Sequence, residues 1–547
     1  MKISSFSDNF TYFAIDFKTS SFFIVNPTYS GIMLVKTYSA AVLGLEATTI
    51  TIEVNMSRGM MFKLSGLADT AVKESYDRIS AALPNVGYRT PMANLTINLS
   101  PADLKKEGSS FDLPMAIGIL GADGKIDHSR LGDYMLVGEL GLDGKLKPVR
   151  AVLPIAIRAR KEKFKGLIVP VDNIREAAVV NNLDVYGMEN LSDVISFLNG
   201  STNYEPMVVD TRKEFYERQY ICDFDFSDVK GQEAVKRALE VAAAGSHNII
   251  LIGPPGSGKS MMAKRLPSIL PPLSLAESLE TTQIHSVAGK LEKNVSLISQ
   301  RPFSSPHHTV SQVAMTGGTS KAMPGEVSLA HNGVLFLDEL PEFSKQTLEV
   351  LRQPLEDRKI TISRAQYTIE YPCSFMFVAS MNPCPCGYYG DPTHHCVCTP
   401  GMIQRYTSRI SGPLMDRIDL HVEVPVVPFK DLSKMQPGEP SSAIRERVIR
   451  ARNIQTERFK AFKGVHSNSQ MTERMLHEFA EPDAASLDML RMAMERLKLS
   501  ARAYGRILKV ARTIADLDGS EKVQSQHIAE AIGYRNLDRG DWAERGI

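Results

Sequence analysis

The segment Gly253 to Ser260 reads GPPGSGKS and stands between the apolar run NIILI and a helical pattern. In this strand-turn-helix context, a glycine-rich turn can direct backbone N–H groups at a phosphate, and its lysine can reach the outer phosphate oxygens. The serine hydroxyl is a ligand for Mg²⁺. The segment predicts a cradle for ATP and Mg²⁺ rather than a chance turn. The predicted phosphate-binding residues are Gly253, Pro254, Pro255, Gly256, Ser257, Gly258, Lys259 and Ser260.

Three side chains further along the chain are of types that can assist the hydrolysis of a bound triphosphate. Asp338 and Glu339 follow the apolar run VLFL, where the aspartate can hold Mg²⁺ and the glutamate can polarise the attacking water. Asn382 ends another apolar run and can orient that water. Taken alone, the carboxylates could cap a helix and the asparagine could lie in a turn. Together with the phosphate cradle they indicate ATP hydrolysis.

A further charge is expected from Arg417 in the segment SGPLMDRIDL. It lies beyond Asn382, where ring-forming ATPases present an arginine to the γ-phosphate of the neighbouring subunit. Arg409 is a rival for this role. Alternatively, Arg417 could form a local ion pair with Asp416 or Asp419, which would contribute little at a surface.

Two arginines near the C-terminus are candidates for a second sensor of the nucleotide. A helix is predicted to begin near Ser500, which puts Arg502 at its start and Arg506 one turn along on the same face. Arg502 is expected to reach the nucleotide from above. Either side chain could instead be an ordinary exposed arginine.

Four of the six cysteines fall within fifteen residues. Their spacing, C-P-C followed by nine residues and C-V-C, supplies four thiolates for tetrahedral Zn²⁺ with a structural role. Reduced thiols, or two neighbouring pairs prone to disulfide formation, are the alternatives, and His394 and His395 are substitute ligands. The predicted zinc ligands are Cys384, Cys386, Cys396 and Cys398.

These residues need a parallel sheet to bring them together. The runs NIILIG, GVLFLDEL and SFMFVASMN are typical of buried parallel strands, so helices must cover both faces of the sheet. From Met471 the pattern turns helical and predicts a helical lid. Its longest apolar stripe is formed by Ile507, Val510, Ala511, Ile514 and Leu517. The predicted fold class is α/β.

The pattern also divides the chain into segments. Strongly patterned sequence begins at Met33, so the preceding segment is predicted to be disordered or a mis-started extension, with a docked N-terminal arm as the alternative. Short β-branched runs then alternate with helical stretches in a first α/β domain. The predicted segments are 1–32, the extension; 33–200, the first domain; 201–222, a linker; 223–435, the ATPase core with the cysteine insert 384–398; and 436–547, the lid.

Composition restricts the function classes. Lys plus Arg number 63 and Asp plus Glu number 62, so a formal charge of +1 provides no global attraction to nucleic acid or lipid, and such binding must be local. The few cysteines exclude a disulfide scaffold and favour a reducing, cytoplasmic location. No apolar run approaches the length of about 18 residues that a membrane span needs, and no clear signal sequence is present.

The ordered set GPPGSGKS, GVLFLDELPEF, MNPCPCGYYGDP, RISGPLMDRIDLHVEVP and LSARAYGRILKVARTIADL resembles the ComM/YifB proteins, magnesium-chelatase-like AAA+ ATPases. The resemblance covers nearly everything after Met33. It implies a hexameric motor that drives DNA branch migration and assists recombination in natural transformation, with a recombinase as partner. It also implies that Arg417 is the arginine finger and Arg502 the second sensor.

By the same resemblance, the first domain is similar to the Lon-protease and RadA domain. The segment EGSSFDLPMAIGIL resembles the nucleophile segment of that fold, and Ser110 stands at the position of the protease serine. Leu153 stands where the Lon lysine is expected. No base is therefore available to activate the serine, and we expect no peptidase activity.

Three function classes follow. The leading one is an ATP-driven DNA translocase, with DNA contacts expected from Lys321, Arg364 and Gln366 in the loop TGGTSKAMPGE and the hairpin ITISRAQYTIEY. Both segments could instead be solvated loops. The second class is a metal-insertion chaperone ATPase like magnesium chelatase, which requires partner subunits. The third is an ATP-dependent protease, which Leu153 disfavours.

Overall fold

The computed structural model describes residues 12–15, 22–25, 33–292, 295–319, 322–364, 367–391, 394–427, 436–497 and 500–535. Within this part of the chain, no helix is both long and apolar enough to cross a bilayer. The chain folds into two compact units. Unit 1 holds the segments up to Ser39, Ile50–Lys147 and Met188–Tyr204, and unit 2 holds Ala40–Thr49, Pro148–Gly187 and the chain from Glu205 onward. The segment boundaries given above remain predictions.

The strands are β1 (Tyr12–Ile15), β2 (Phe22–Val25), β3 (Met33–Leu43), β4 (Glu46–Ser57), β5 (Phe62–Ser65), β6 (Asn94–Ser100), β7 (Tyr134–Leu136), β8 (Glu139–Leu140), β9 (Leu146–Lys147), β10 (Gly166–Pro170), β11 (Asp184–Met188), β12 (Ile249–Ile252), β13 (Phe303–Ser304), β14 (Val334–Leu337), β15 (Lys359–Arg364), β16 (Tyr367–Pro372), β17 (Met376–Met381) and β18 (Leu420–Glu423).

The α-helices are α1 (Thr70–Lys73), α2 (Ser75–Asn85), α3 (Asp112–Ala122), α4 (Val152–Lys161), α5 (Ile174–Ala177), α6 (Leu191–Leu198), α7 (Thr211–Arg218), α8 (Glu233–Gly245), α9 (Lys259–Arg265), α10 (Leu275–Ala288), α11 (Gln312–Thr316), α12 (Glu326–Leu329), α13 (Lys345–Glu349), α14 (Arg352–Asp357), α15 (Pro400–Thr407), α16 (Gly412–Met415), α17 (Ser441–Phe459), α18 (Glu473–Phe479), α19 (Ala484–Leu497), α20 (Ala501–Leu517) and α21 (Ser525–Gly533).

Unit 1 is built on strands in the order β7-β3-β4-β6-β5. The long strands β4 and β6 run antiparallel, and β5 runs parallel to β6. Helix α3 is buried along its whole length and is apolar apart from its first residue, Asp112, which pairs with Arg78 at 2.7 Å. The strands predicted from the β-branched runs of the first domain are thus confirmed. The segment before Met33 contains the antiparallel pair β1 and β2, and the prediction that it is a mis-started extension stays a prediction.

Unit 2 contains the predicted parallel sheet, with strand order β13-β14-β17-β12-β18. All four pairings in it are parallel. The side chains of β12 alternate between two separate hydrophobic cores, because successive residues of a strand point to opposite faces. Ile249 and Leu251 belong to a core with helices α8, α17 and α20, while Ile250 and Ile252 belong to a core on the other face. The α/β fold class and the coverage of both faces are confirmed.

The predicted lid helix is α20. Its N-cap is Ser500, whose side chain accepts a hydrogen bond from the backbone N–H of Ala503, which satisfies one otherwise unpaired donor of the first turn. The predicted apolar stripe is buried from Ile507 to Ile514, and Leu517 is partly buried against the same core. The predicted stripe is thus buried, but every residue from Val510 to Asp516 is buried as well, so this part of the helix is enclosed on all sides and not only along its apolar face.

A buried ion pair joins this lid helix to the sheet. Asp419 lies just before β18, and its side chain is 5% exposed. Its Oδ1 is 2.6 Å from Arg506 Nη1, and its Oδ2 is 3.2 Å from His247 Nδ1. Burial opposes ionisation of Asp419, but Arg506 and His247 outweigh it and hold the pKa of Asp419 well below its usual range. Arg506 therefore stabilises the lid on the core.

We predict that Arg506→Ala lowers the free energy of unfolding of this unit by about 3 kcal/mol, because it leaves the Asp419 carboxylate buried without its guanidinium partner. Denaturant unfolding measures the change. Arg502→Ala is the matched control: Arg502 is 71% exposed and lies 3.3 Å from Asp416, so its loss should cost less than about 1 kcal/mol. Equal decreases in the free energy of unfolding for the two variants would contradict the stabilising role assigned to the ion pair between Asp419 and Arg506.

Candidate nucleotide site

The glycine-rich loop connects the carboxyl end of β12 to the first turn of α9. Gly256 and Gly258 adopt φ values of +77° and +90°, in the left-handed region that glycine enters without strain. Gly253 has a different constraint, since a Cβ there would stand 2.2 Å from the carbonyl oxygen of Val424. The loop thus has the strand-turn-helix context that phosphate binding requires.

Lys259 is folded back across this loop. Its Nζ donates to the carbonyl oxygens of Gly253 (2.7 Å) and Pro254 (2.9 Å), and lies 3.2 Å from Asn382 Oδ1. Parallel pairing of β12 with β17 sets Ile252 beside Met381, so Asn382 leaves the sheet next to the loop. The structure therefore brings together two predicted site residues that are 123 positions apart in the sequence.

Asp338 is fixed by two hydroxyl groups. Ser260 Oγ donates to Asp338 Oδ2 at 2.6 Å, and Ser380 Oγ donates to Asp338 Oδ1. The hydroxyl of Ser260 and the carboxylate of Asp338 are oxygen donors of the kind that Mg²⁺ prefers. Burial lowers the pKa of Lys259, and the negative charges of Asp338 and Glu339 act against this shift. Ser380 is a residue that sequence reasoning missed, because only strand pairing reveals its closeness to Asp338.

Glu339 has a different environment from its neighbour. Its backbone is left-handed, with φ +55°, and its side chain is 57% exposed. His308 Nδ1 lies 3.8 Å from Glu339 Oε2. Sequence reasoning missed His308 as well; it follows β13, which pairs with β14 in parallel, so both chain segments leave the sheet at the same edge. An exposed carboxylate at this edge can accept a proton from water.

Arg417 lines a cavity of about 640 Å³ that α14, β15 and the segment 316–318 also line. Its guanidinium donates to the Glu356 carboxylate and to the carbonyl oxygen of Pro413, the latter at 2.7 Å. The local pairs considered for Arg417 form with other residues: Asp416 pairs with Arg502 and Asp419 with Arg506.

The rival arginine pairs with a carboxylate that lies three positions beyond Glu339 in the sequence. Arg409 Nη1 lies 2.9 Å from Glu342 Oε2 and 3.1 Å from the carbonyl oxygen of Pro341. Arg502, at the start of α20, is the more exposed of the two lid candidates, whereas Arg506 is engaged in the buried joint. Of these two, Arg502 is therefore the one free to turn toward a nucleotide.

The four clustered cysteines converge. Their sulfur atoms all lie within 4.8 Å of one another, and all four are free thiols, so the structure contains no disulfide among them. Burial raises the pKa of the Cys386 thiol, but backbone N–H groups of Tyr388 and Val397 and the neighbouring thiols lower it to about 6. His394 instead stacks on the ring of Tyr388, with centroids 4.7 Å apart. A set of four soft sulfur donors fits Zn²⁺.

Of the three expected DNA-contacting residues, Lys321 and Gln366 lie outside the described residues. The hairpin that carries Arg364 is present as the antiparallel pair of β15 and β16, as predicted. The Arg364 guanidinium donates to the carbonyl oxygen of Gly318, and the Tyr371 hydroxyl donates to that of Ala322 at 2.8 Å. The hairpin therefore packs against the described segments 316–319 and 322–325.

The position of the missing protease lysine is apolar in structure as well as in sequence. Leu153 is fully buried near the start of α4, and its backbone N–H donates to Glu176 Oε1 at 3.1 Å. Ser110 contributes its carbonyl oxygen to a hydrogen bond from Gly138 N–H, at 3.1 Å. Neither contact gives the serine a general base.

Comparison with known proteins places this geometry in a family. The models described as "Subunit ChlI of Mg-chelatase", "Magnesium chelatase, subunit ChlI" and "Magnesium chelatase, subunit ChlI C-terminal" match residues 52–173, 225–432 and 438–535. The chain is 44% identical to "Competence protein ComM" of Haemophilus influenzae, over 92% of this chain and 97% of the relative.

Two further relatives are informative. "Uncharacterized protein YifB" of Escherichia coli is 43% identical over 92% of this chain and 97% of its own length. "Lon protease 2" of Bacillus subtilis is 30% identical, but over only 26% of this chain and 27% of that protein. The near-complete coverage by the first two relatives, with the three family matches, shows the family. The chain belongs to the ComM/YifB family of magnesium-chelatase-like AAA+ ATPases.

Proposed function

We propose that this protein is an ATP-hydrolysing ring motor that acts on DNA, with branch-migration or helicase activity in recombination. One observation carries the ATPase part: two hydrogen-bonded pairs of predicted site residues lie at the carboxyl edge of the parallel sheet. Lys259 pairs with Asn382, and Ser260 pairs with Asp338. Ligands of open parallel sheets bind at this edge. The DNA part rests on the family resemblance and on the basic hairpin.

In the proposed site, each side chain has a separate role. The loop Gly253–Ser260 holds the phosphates, and Lys259 neutralises their outer oxygens. Ser260 and Asp338 would hold Mg²⁺, which supplies charge neutralisation at the β- and γ-phosphates when bound. Glu339 takes the proton of the attacking water, and Asn382 orients that water.

A further positive charge at the γ-phosphate comes from Arg417 of the adjacent subunit. Arg417 contacts Glu356 and Pro413, and no hydrogen bond or ion pair among the described residues joins it to Asp338 or Glu339, which supports a role in trans as the arginine finger of a hexamer. Arg502, on the lid, acts as the second sensor. Because the finger acts across subunits, hydrolysis depends on ring assembly.

DNA would pass through the centre of that ring. Arg364, Lys321 and Gln366 each occur once per chain, but ring symmetry repeats them around the channel and concentrates positive charge there. A near-neutral chain can then bind a phosphate backbone without a basic surface elsewhere. A recombinase is the proposed partner, and the four free thiols suit the cytoplasm. The cysteine cluster would hold structural Zn²⁺.

A second candidate is a metal-insertion chaperone ATPase, which the match of residues 225–432 to a magnesium chelatase subunit favours. Such an enzyme hydrolyses ATP without a requirement for DNA. An ATP-dependent protease is disfavoured because Leu153 replaces the base that the serine needs. DNA dependence of the ATPase therefore separates the leading function from the chaperone, and a casein-degradation assay separates it from the protease.

We predict that Glu339→Ala slows ATP turnover at least ~100-fold while ATP binding persists, because the phosphate loop keeps its contacts and only the proton acceptor is removed. Lys259→Ala should abolish turnover too. The measurements are steady-state phosphate release and equilibrium ATP binding. Glu342→Ala, which removes an acidic neighbour that pairs with Arg409, is the matched control and should keep most of the activity. Near-normal hydrolysis by Glu339→Ala would overturn the assignment.

We further predict that forked or four-way DNA stimulates the ATPase, and that Arg364→Ala weakens DNA binding and removes the stimulation while basal hydrolysis persists. The salt slope of DNA binding should fall by about one for each phosphate that the variant no longer neutralises. Lys359→Ala is the control at the other end of the same strand, where Lys359 is paired with Glu370 at 2.9 Å. An ATPase indifferent to DNA would favour the chaperone alternative.

A further inference from the structure

The cysteine cluster adjoins the proposed nucleotide site along the chain. Asn382, which receives a hydrogen bond from Lys259, is separated from the fully buried Cys384 by Pro383 alone. Cys384 and Cys386, the first two of the four cysteines, therefore follow shortly after the end of strand β17. Any ion that fixes Cys384 also restricts where the backbone of Asn382 can lie.

The spacing of the sulfur atoms suits a single ion. Cys384 Sγ lies 3.4 Å from Cys386 Sγ and 3.6 Å from Cys396 Sγ, and the Cys386 and Cys396 sulfurs are also 3.6 Å apart. A tetrahedron with zinc–sulfur bonds of about 2.3 Å has edges of about 3.8 Å. These three distances are close to this value, and Cys398 Sγ lies within 4.8 Å of the other three sulfurs, so the four thiols are close enough to share one ion.

A second contact joins the cluster directly to the phosphate loop. The backbone turns after the first cysteine pair, where Gly387 N–H donates to the carbonyl oxygen of Cys384 at 3.0 Å. Gly387 has φ +89°, and a Cβ on it would stand 2.7 Å from Cδ of Pro255. The turn that carries Cys384 and Cys386 therefore packs tightly against Pro255 of the phosphate loop. Only glycine fits at position 387 of this turn.

From these contacts we infer that a metal ion bound by Cys384, Cys386, Cys396 and Cys398 controls the affinity of the phosphate loop for nucleotide, through Asn382 on one side and Gly387 against Pro255 on the other. This inference rests on the proposed function in that the loop binds ATP. The ion holds in place a turn that borders the phosphate loop. Removing the ion therefore lets that turn move, and Pro255 then loses its packing contact with Gly387. Because linkage is reciprocal, bound nucleotide must also raise the affinity of the cysteine cluster for the metal by the same factor.

The test measures binding, not turnover. Full-length protein is stripped of metal with a chelator, its zinc content is determined by elemental analysis, and its affinity for a fluorescent ATP analogue is titrated. We expect the affinity to fall at least about fivefold, the lower range for coupled sites, and to return when Zn²⁺ alone is added back. Saturating nucleotide should raise the zinc affinity by the same factor, measured as the equilibrium distribution of zinc between the protein and a competing chromogenic chelator.

Two glycine variants separate the contact from general loss of structure. Gly387→Ala should keep one zinc per chain yet bind nucleotide at least about fivefold more weakly, because its new Cβ displaces Pro255. Gly390→Ala is the matched control: it lies in the same insert with φ +78°, but a Cβ there meets nothing within 4 Å, so it should bind nucleotide like wild type. The double variant Cys396→Ser/Cys398→Ser removes the metal from the side away from Asn382 and should match stripped protein.

Three results would contradict the inference. They are unchanged nucleotide affinity in stripped protein that keeps its circular dichroism spectrum, equal affinities for Gly387→Ala and Gly390→Ala, and failure of the wild type to bind Zn²⁺ at all. If zinc-loaded wild type bound no nucleotide, the proposed function itself would fail, and this result is distinct from binding that is merely independent of metal.

Discussion

The candidate site depends on the way in which parallel strands end. In the sheet of unit 2, β14, β17 and β12 are adjacent and point the same way, so three distant chain segments leave it at one edge. Asp338 follows β14, Asn382 follows β17, and the phosphate loop follows β12. An antiparallel order would send these groups to opposite ends of the sheet. The parallel order is possible only because helices cover both faces and bury the strands completely.

The buried charged groups at this edge of the sheet are stabilised by hydrogen bonds. Lys259 is 8% exposed, which would be costly for an isolated ammonium group, but two carbonyl oxygens and the Asn382 amide oxygen accept its hydrogen bonds. Asp338 is likewise held between two hydroxyl groups. A triphosphate with Mg²⁺ would exchange these internal partners for stronger ionic ones. The side chains of the candidate site are thus held in place by hydrogen bonds within the chain.

Much of this could be predicted from the sequence, because the informative groups are contiguous. The loop Gly253–Ser260 and the pair Asp338 and Glu339 each stand at the end of an apolar run, and the cysteine spacing by itself suggested an ion site. The Ser500 cap and the apolar stripe of the lid helix are local patterns too. Lys321 and Gln366 lie outside the described residues, so their roles stay predictions.

The remainder depends on contacts between residues far apart in sequence. Ser380 reaches Asp338 only because β14 and β17 pair, and His308 approaches Glu339 only because β13 extends the same sheet. Nothing local in the sequence could assign Asp419 to Arg506 instead of Arg417, or bring Gly387 against Pro255. Side-chain partners across a fold are set by packing, and one sequence carries no direct record of them.

Under the proposed function, Arg417 of an adjacent subunit completes each nucleotide site. This role is tested by measuring ATP turnover at constant wild-type concentration while increasing amounts of Arg417→Ala chain are added, with Arg409→Ala chain as the control. If Arg417 acts in trans, turnover per wild-type chain falls as Arg417→Ala subunits replace wild-type neighbours, and the control mixture does not reproduce the fall. Turnover per wild-type chain that stays constant in the Arg417→Ala mixture would contradict it.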